Sequence, residues 1–209
     1  MSILQEISEN LQKGKAPVVE QLVTDALAQG ISAKEILEEG LLSGMGIIGE
    51  KFKNNEVYVP EVLIAARAMN KGAVILKPAL ASEGVVAKGK VVLGTVKGDQ
   101  HDIGKNLVKM MMEGKGIEVI DLGVNVSAEK YVEAAEESGA KAICLSALLT
   151  TTMNEMKAVV DLLNEKGIRD KYAVMVGGAP VTQAFCEQIG ANLYTADAAS
   201  AADAAAGLF

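Results

Sequence analysis

The apolar residues of the chain change their spacing near residue 82. Before that point they recur at helical intervals, as at Leu4, Ile7 and Leu11, and no stretch alternates with the period of a strand. Ser32, followed three residues later by Glu35, is a capping-box signature for a helix start. Helix starts are predicted near Ile3, Pro17, Ser32 and Pro60. Four helices with short connections favour a helix bundle.

After Gly84 the pattern becomes a series of short Val/Ile/Leu-rich runs, each followed by a longer helical stretch, which predicts βα units and a parallel sheet. The predicted strands are Lys90–Val96, Glu118–Leu122, Ala142–Leu148, Ala173–Val176 and Asn192–Thr195. The predicted helices are Ile103–Lys115, Ser127–Ser138, Thr152–Lys166, Val181–Ile189 and Ala198–Leu208. The fold class is therefore α + α/β: a four-helix bundle over residues 1–85, followed over residues 86–209 by a Rossmann-like (flavodoxin-like) domain with five parallel strands.

In a sheet of this kind, ligands bind beyond the carboxyl ends of the strands. The loops after the five predicted strands should therefore line a site. Four of these loops carry conspicuous Gly, Ser, Thr or Asp residues.

Composition and charge exclude several classes of protein. Half of the 209 residues are hydrophobic, which is enough for a buried core. The net charge of −7 has the wrong sign for a binder of phosphate backbones, so we expect no nucleic acid partner. We also expect a cytoplasmic protein without a membrane segment, because the start does not resemble a secretion signal and the longest apolar runs are strand-sized. Cys144 and Cys186 are expected to be reduced, buried thiols.

The stretch Gly44–Gly49 has the glycine spacing of the dinucleotide-binding fingerprint. That motif works in a turn that leaves a strand, whereas this stretch continues a helical pattern. We therefore interpret these glycines as allowing a helix to approach a neighbour closely.

The single histidine, His101, excludes sites built from several imidazoles. It belongs to Asp99-x-His101-x-x-Gly104, directly after the first predicted strand. Such a histidine can offer one ring nitrogen to a metal while the aspartate accepts a hydrogen bond from the other, and Gly104 would let a bulky ligand approach the backbone. The alternative is a helix-capping histidine beside a solvated aspartate.

Three motifs in order, Asp99-x-His101-x-x-Gly104, Ser146-x-Leu148 and Gly177-Gly178, resemble the cobalamin-binding domain of methionine synthase and its relatives. The helical half looks like the cap domain of that family. Because no segment remains for a substrate-binding barrel, the chain is most similar to the stand-alone corrinoid proteins of anaerobic methyltransferase systems. Those systems handle methylamines, methanol, betaines or methoxylated aromatics.

The resemblance implies roles for individual residues. His101 would be the lower axial ligand of cobalt, Asp99 its hydrogen-bond partner, and Thr152 the hydroxyl at the place where methionine synthase has a serine. Phe52 and Val59 would cover the upper face of the corrin, and Glu38 or Glu39 could touch its edge. Further contacts with cobalamin or a related corrinoid are implied for Gly98, Gln100, Asp102, Ile103, Gly104, Ser146, Leu148, Thr150, Gly177, Gly178, Asp197 and Ala198.

The function implied is that of a methyl carrier in one-carbon metabolism, without catalytic side chains of its own. Cob(I)alamin would accept a methyl group from a substrate:corrinoid methyltransferase, and methylcob(III)alamin would pass it to a second methyltransferase that uses tetrahydrofolate or coenzyme M. A reductive activation protein is a third implied partner. His101 would detach on reduction, and the cap would move about a hinge near residues 81–88.

Three alternatives remain at this point. A cobalamin-dependent sensor could share both domains but normally needs an output module. The small subunit of an adenosylcobalamin-dependent mutase has the Asp-x-His-x-x-Gly domain but lacks the cap. A flavodoxin-like domain for another ligand would survive if corrinoid failed to bind.

Overall fold

The computed structural model describes residues 2–209. The chain divides into two compact units, one of residues up to 87 together with 114–116, and one of residues 88–113 together with 117–209. This division lies two residues after the boundary predicted at residue 85.

The first unit consists of helices connected by short turns. Its elements are α1 (Ile3–Gln12), α2 (Ala16–Ala28), α3 (Ala33–Glu35), a π-helical segment (Ile36–Leu42), α4 (Ser43–Lys53) and α5 (Val59–Ser82). The segment from α3 to α4 is one continuous helical run, so four runs form the unit, and the predicted bundle is confirmed. Side chains spaced along each run, including Ile7, Val23, Ile36 and Leu76, are fully buried between the helices. No helix within residues 2–209 is long and apolar enough to cross a membrane.

The predicted capping box at Ser32 forms only in part. Ser32 Oγ accepts a hydrogen bond of 3.1 Å from the Glu35 amide. The next two amides are bonded from elsewhere: those of Ala33 and Lys34 donate to the two carboxylate oxygens of Glu83, at 2.8 and 3.1 Å. A residue that follows α5 therefore satisfies the exposed amides at the start of α3.

The glycines of the Gly44–Gly49 stretch lie within α4, which confirms that the fingerprint is not in a strand-to-helix turn. A Cβ atom at Gly44 would lie 3.0 Å from the Ser8 carbonyl oxygen on α1. Gly44 therefore allows α4 and α1 to pack closely, as the sequence interpretation proposed.

The second unit is a parallel sheet with the strand order β2-β1-β3-β4-β5. Its strands are β1 (Lys90–Thr95), β2 (Glu118–Asp121), β3 (Ala142–Ser146), β4 (Ala173–Gly177) and β5 (Leu193–Tyr194). Its helices are α6 (Ile103–Glu113), α7 (Ala128–Ser138), α8 (Asn154–Glu165), α9 (Gln183–Ile189) and α10 (Ala198–Ala206), with a short 3-10 turn at Arg169–Lys171. The five-stranded α/β prediction is confirmed.

The strand order places the candidate site. From β1 the chain moves to β2 on one side and then returns to β3 on the other side, so the direction of winding reverses between β1 and β3. The loops that leave β1 and β3 diverge at such a reversal and open a crevice at the carboxyl edge of the sheet. The Asp99–Gly104 motif follows β1, and the Ser146–Leu148 motif follows β3.

Candidate functional site

Asp99 lies at the centre of the site and is completely buried. Its Oδ1 accepts hydrogen bonds from Nδ1 and from the amide of His101, at 2.7 and 3.1 Å. Its Oδ2 accepts bonds from the amides of Leu148 and Leu149, at 2.8 and 3.1 Å, and from the Thr152 hydroxyl at 2.9 Å. The structure thus brings the predicted trio of Asp99, His101 and Thr152 into one hydrogen-bonded group.

The charge state of Asp99 follows from these contacts. Burial by itself raises the pKa of Asp99, but the hydrogen bonds from the His101 ring and from the amides of Leu148, His101 and Leu149 outweigh burial. The pKa therefore lies well below its ordinary value, and the carboxylate is ionised at neutral pH.

An ionised carboxylate can only accept hydrogen bonds, so Nδ1 of His101 carries the proton in that contact. In the neutral ring the other nitrogen, Nε2, then has a free lone pair. The His101 side chain is 49% exposed, and no group within residues 2–209 hydrogen-bonds to Nε2. This is the form in which an imidazole binds a metal ion.

The loop after β3 differs from its sequence prediction. The strand was predicted to reach Leu148, but it ends at Ser146. The Ala147 amide still donates to the Gly177 carbonyl oxygen, at 3.2 Å, whereas the amides of Leu148 and Leu149 turn to Asp99. For the same reason α8 begins at Asn154 and not at the predicted Thr152, whose hydroxyl faces Asp99. Both predicted ends were wrong at residues that donate hydrogen bonds to the buried carboxylate of Asp99.

The surface around His101 fits a large, partly apolar ligand. Ile103 is 75% exposed, and Leu148 and Leu149 are 44% and 40% exposed. A Cβ atom at Gly104 would have no neighbour within 4 Å, so the backbone there is open to a ligand. Exposed apolar side chains on the two loops that meet at Asp99, together with a half-exposed imidazole, suit a large apolar ligand that takes one nitrogen ligand from the protein.

The glycine pair after β4 is set by close backbone packing. Gly178 has φ of +133°, and a Cβ atom there would lie 1.9 Å from the Ala147 carbonyl oxygen. Any other residue would therefore push apart the loops that follow β3 and β4. Gly177 pairs in register with Ser146, so these two predicted residues lie side by side at the carboxyl ends of β4 and β3.

Two predicted contact residues already have local partners. Asp197 caps α10, because its carboxylate accepts bonds from the Ser200 amide at 2.8 Å and from the Ser200 hydroxyl at 2.7 Å. Asp102 accepts a bond of 3.1 Å from the Asn106 side chain in the first turn of α6. Contacts of Asp197 and Asp102 with a cofactor stay predictions.

The remaining predicted residues lie around these loops or in the first unit. Gln100 and Thr150 are exposed in the loops after β1 and β3, Gly98 is exposed with φ of +81°, and Ala198 is the buried first residue of α10. Phe52 lies in the last turn of α4, and Val59 is the first residue of α5; both are half-buried. Glu38 and Glu39 are exposed in the π-helical segment. Their contacts with a cofactor stay predictions.

Sequence reasoning missed two groups that support the site. Thr95 is fully buried at the end of β1, and its hydroxyl donates to the His101 carbonyl oxygen at 2.8 Å. Lys105, whose side chain is 2% exposed, donates to Asp121 Oδ1 at 2.6 Å and to the Asn106 side chain at 2.7 Å. In the sequence, Thr95 and Lys105 each stand as a single polar residue at a position that the apolar pattern predicts to be buried, which could have indicated a buried hydrogen bond.

Asp121 receives further donors from Lys109, at 3.3 Å, and from the Gly123 amide, at 3.0 Å. Burial raises the pKa of Asp121, but the bond from Lys105, the Gly123 amide and the charges of both lysines outweigh burial and lower it. This ion-pair group ties the start of α6 to the end of β2, next to the loop that carries His101.

Comparison with known proteins finds relatives for both units of the chain. Two family models, each described as a B12 binding domain, match residues 3–77 and 89–206. A corrinoid protein of Desulfitobacterium hafniense is 41% identical over 195 residues, covering 92% of this chain and 90% of that protein. The dimethylamine corrinoid protein of Methanosarcina barkeri is 41% identical over 200 residues, covering 95% and 93%.

A solved structure shows the same architecture. In the crystal structure of the methanol:cobalamin methyltransferase complex of Methanosarcina barkeri, one chain superimposes with a TM-score of 0.89 and 31% identity, covering 99% of this chain and 79% of that one. The matched family models together span both units, and the relatives match along nearly the whole of this chain. The chain therefore belongs to the B12-binding corrinoid proteins, and its cofactor is cobalamin or a related corrinoid.

Proposed function

We propose that this protein is a methyl carrier that works between two methyltransferases. One methyltransferase would activate the methyl donor and load the carrier, and the second would remove the methyl group for tetrahydrofolate or coenzyme M. The names of the relatives support this role, since one is a dimethylamine corrinoid protein and another belongs to a methanol:cobalamin methyltransferase complex. Methylamines and methanol are therefore the first donors to test.

The observation that carries the proposal is the free Nε2 of His101. The ring is held by a bond of 2.7 Å from Nδ1 to Asp99, and its other nitrogen has no hydrogen-bond partner among residues 2–209, in a side chain that is 49% exposed. Nε2 of His101 would bind the cobalt of the corrinoid. When bound, the corrinoid supplies the metal that takes up and releases the methyl group, and the protein supplies the ligand, its orientation and its surroundings.

Asp99 and Thr152 adjust the strength of that ligand. An ionised Asp99 bonded to Nδ1 makes the imidazole a more basic donor at Nε2. The Thr152 hydroxyl lies 2.9 Å from both Asp99 Oδ2 and the Leu149 carbonyl oxygen, but it has one hydrogen and donates to one of them at a time. The hydroxyl can therefore support the charge of Asp99 or withdraw from it without movement of the backbone.

The other predicted residues would surround the cofactor. Ile103, Gly104 and Leu148 would face the lower side of the corrin, and Ser146 with Gly177 and Gly178 would border the nucleotide tail at the edge of the sheet. Phe52 and Val59 would cover the upper side, where the methyl group is carried. Because both partner enzymes must reach that group, the cover has to open for each of them.

Reconstitution of the whole chain with hydroxocobalamin tests the proposal. The wild-type protein should show the spectrum of a corrinoid that has lost its own lower base and gained an imidazole. His101→Ala should lose that spectrum completely, because the chain has no second histidine. Added free imidazole should restore it in the variant. After reduction, the wild-type protein should be methylated by one of the donors dimethylamine, trimethylamine or methanol, each offered with the corresponding methyltransferase of the same organism.

The outcomes separate the parts of the proposal. An unchanged spectrum in His101→Ala would show that another group binds the cobalt. Bound and reduced corrinoid that no donor system methylates would contradict the carrier role while leaving cofactor binding intact. Asp161→Ala, which alters an exposed residue of α8, serves as the control and should match the wild-type protein in both measurements.

A further inference from the structure

The loop between β2 and α7 contains a residue with an unusual backbone conformation. Asn125 has φ of 54°, and within residues 2–209 Asn55 is the other non-glycine residue with a positive φ. Asparagine is among the few residues that tolerate this left-handed conformation. A residue that is held in it often serves a local requirement of the structure.

Asn125 forms hydrogen bonds with Gly98 and Asp99, which lie three and two positions before His101. Its amide donates to the Asp99 carbonyl oxygen at 3.0 Å. Its side-chain oxygen Oδ1 accepts a bond of 2.7 Å from the Gly98 amide. Asn125 thus holds Gly98 and Asp99 through one donated and one accepted bond, from a different loop.

The neighbours of Asn125 extend this attachment. The Val126 amide donates to the Thr95 carbonyl oxygen at 3.0 Å, and the Thr95 amide donates to the Gly123 carbonyl oxygen at 2.9 Å. Residues 96–102, between β1 and α6, form the histidine loop. Thr95 also holds the far end of this loop, because its hydroxyl donates to the His101 carbonyl oxygen. The histidine loop is therefore attached at its start by Asn125 and at its end by Thr95.

The start of the loop needs such an attachment. Gly98 is exposed, has φ of +81° and lacks a side chain, so nothing in its own side chain restrains the backbone there. The side chain of Asp99 is already engaged by His101 and by the loop after β3. A shift of the backbone at Gly98 would move Asp99, and with it the direction of the imidazole.

We propose that Asn125 is a positioning residue for the axial histidine: it fixes Gly98 and Asp99 so that His101 presents Nε2 at a constant place. The inference rests on the proposed function of His101. It adds a residue outside the Asp-x-His-x-x-Gly motif, on a separate loop.

Three variants test the role of the side chain. Asn125→Gly allows the left-handed backbone and keeps the amide but removes Oδ1. Asn125→Asp keeps an oxygen acceptor at the same place. Asn55→Gly is the matched control, because Asn55 has φ of 57° and its side chain has no hydrogen-bond partner among residues 2–209. Asn125 is exposed, so the fold should survive each change, and circular dichroism checks this.

The first measurement uses the cofactor-free chain. Hydrogen exchange of the Gly98 amide should become about five- to tenfold faster in Asn125→Gly, as expected for the loss of one hydrogen bond. It should stay near the wild-type rate in Asn125→Asp and Asn55→Gly. An unchanged rate in Asn125→Gly would overturn the inference.

The second measurement uses the chain loaded with hydroxocobalamin. The fraction of cofactor with the imidazole-ligated spectrum should fall in Asn125→Gly and be rescued in Asn125→Asp. Faster exchange with an unchanged spectrum would show that Asn125 stabilises the loop without positioning His101, and would also overturn the inference. If the wild-type protein itself lacks the imidazole-ligated spectrum, the axial-ligand proposal fails, and the exchange rates still decide whether Asn125 holds the loop.

Discussion

Two aspartates lie at the carboxyl ends of adjacent strands, and the fold compensates their charges differently. Asp121 ends β2 and is bound by the ammonium groups of Lys105 and Lys109. Asp99 follows β1, is more deeply buried, and is bound by three amides, one hydroxyl and the imidazole of His101. The pKa of each carboxylate is lowered, so the direction of the shift does not distinguish them.

The partners of each aspartate decide what it can do. At Asp121 the charge is neutralised by two lysines of α6, so the ion pairs serve to attach α6 to the end of β2. At Asp99 the other donors are three uncharged amides and a hydroxyl. They do not neutralise the carboxylate, so its negative charge can polarise the imidazole of His101. A lowered carboxylate pKa indicates a functional site when its partner is itself partly exposed and able to bind something else, as His101 is.

The largest effect on stability is expected for Asp121→Ala. The Lys105 side chain would stay almost fully buried without an opposite charge, which should lower the free energy of unfolding by about 3 kcal/mol. Urea denaturation of the cofactor-free chain measures this. The imidazole-ligated spectrum of the loaded protein should remain.

Asp161→Ala provides the control for that variant. Asp161 pairs with Lys157 on the exposed side of α8, and its removal should lower stability by less than about 0.5 kcal/mol. Equal losses in Asp121→Ala and Asp161→Ala would mean that the buried pair contributes no more than a surface pair.

A smaller loss of stability, but a larger change at the cofactor, is expected for Thr152→Val. Valine has nearly the same shape but no hydroxyl, so Asp99 Oδ2 would lose one of its three donors, at a cost of about 2 kcal/mol. The fraction of imidazole-ligated corrinoid should fall. Thr152→Ser keeps the hydroxyl and should behave nearly as the wild-type protein. If valine and serine behave alike, the hydroxyl has no part in holding Asp99.

The smallest effect is a difference in pH dependence between Asp121→Asn and the wild-type protein. Because the pKa of Asp121 is lower in the folded chain than its ordinary value near 3.8, its charge stabilises the fold above that value. That contribution is lost as the pH falls through the folded pKa. The free energy of unfolding, measured from pH 6 to pH 3, should therefore fall more steeply for the wild-type protein than for Asp121→Asn. Parallel slopes would show that Asp121 has the same affinity for protons in both states.

Sequence periodicity predicted most of the helices and strands, because buried apolar residues recur along each of them at the period of that element. All ten strands and helices predicted after residue 85 exist, with ends that shift by no more than two residues. The errors in the β3 loop have a physical cause. Leu148 and Leu149 look like strand residues, but their amides donate to Asp99, which lies 49 and 50 positions earlier in the chain. No local pattern contains that contact.

The sequence by itself determined the two kinds of architecture, the place of the Asp99–Gly104 motif at a strand end, and the identity of its one histidine. These follow from residue spacing and from the chemistry of single side chains. The tertiary structure decided which groups surround Asp99, that Glu83 caps α3, and that Asn125 and Thr95 hold the histidine loop. Each of these contacts joins loops or helix ends that become neighbours only when the chain folds, so the spacing of hydrophobic residues does not predict them.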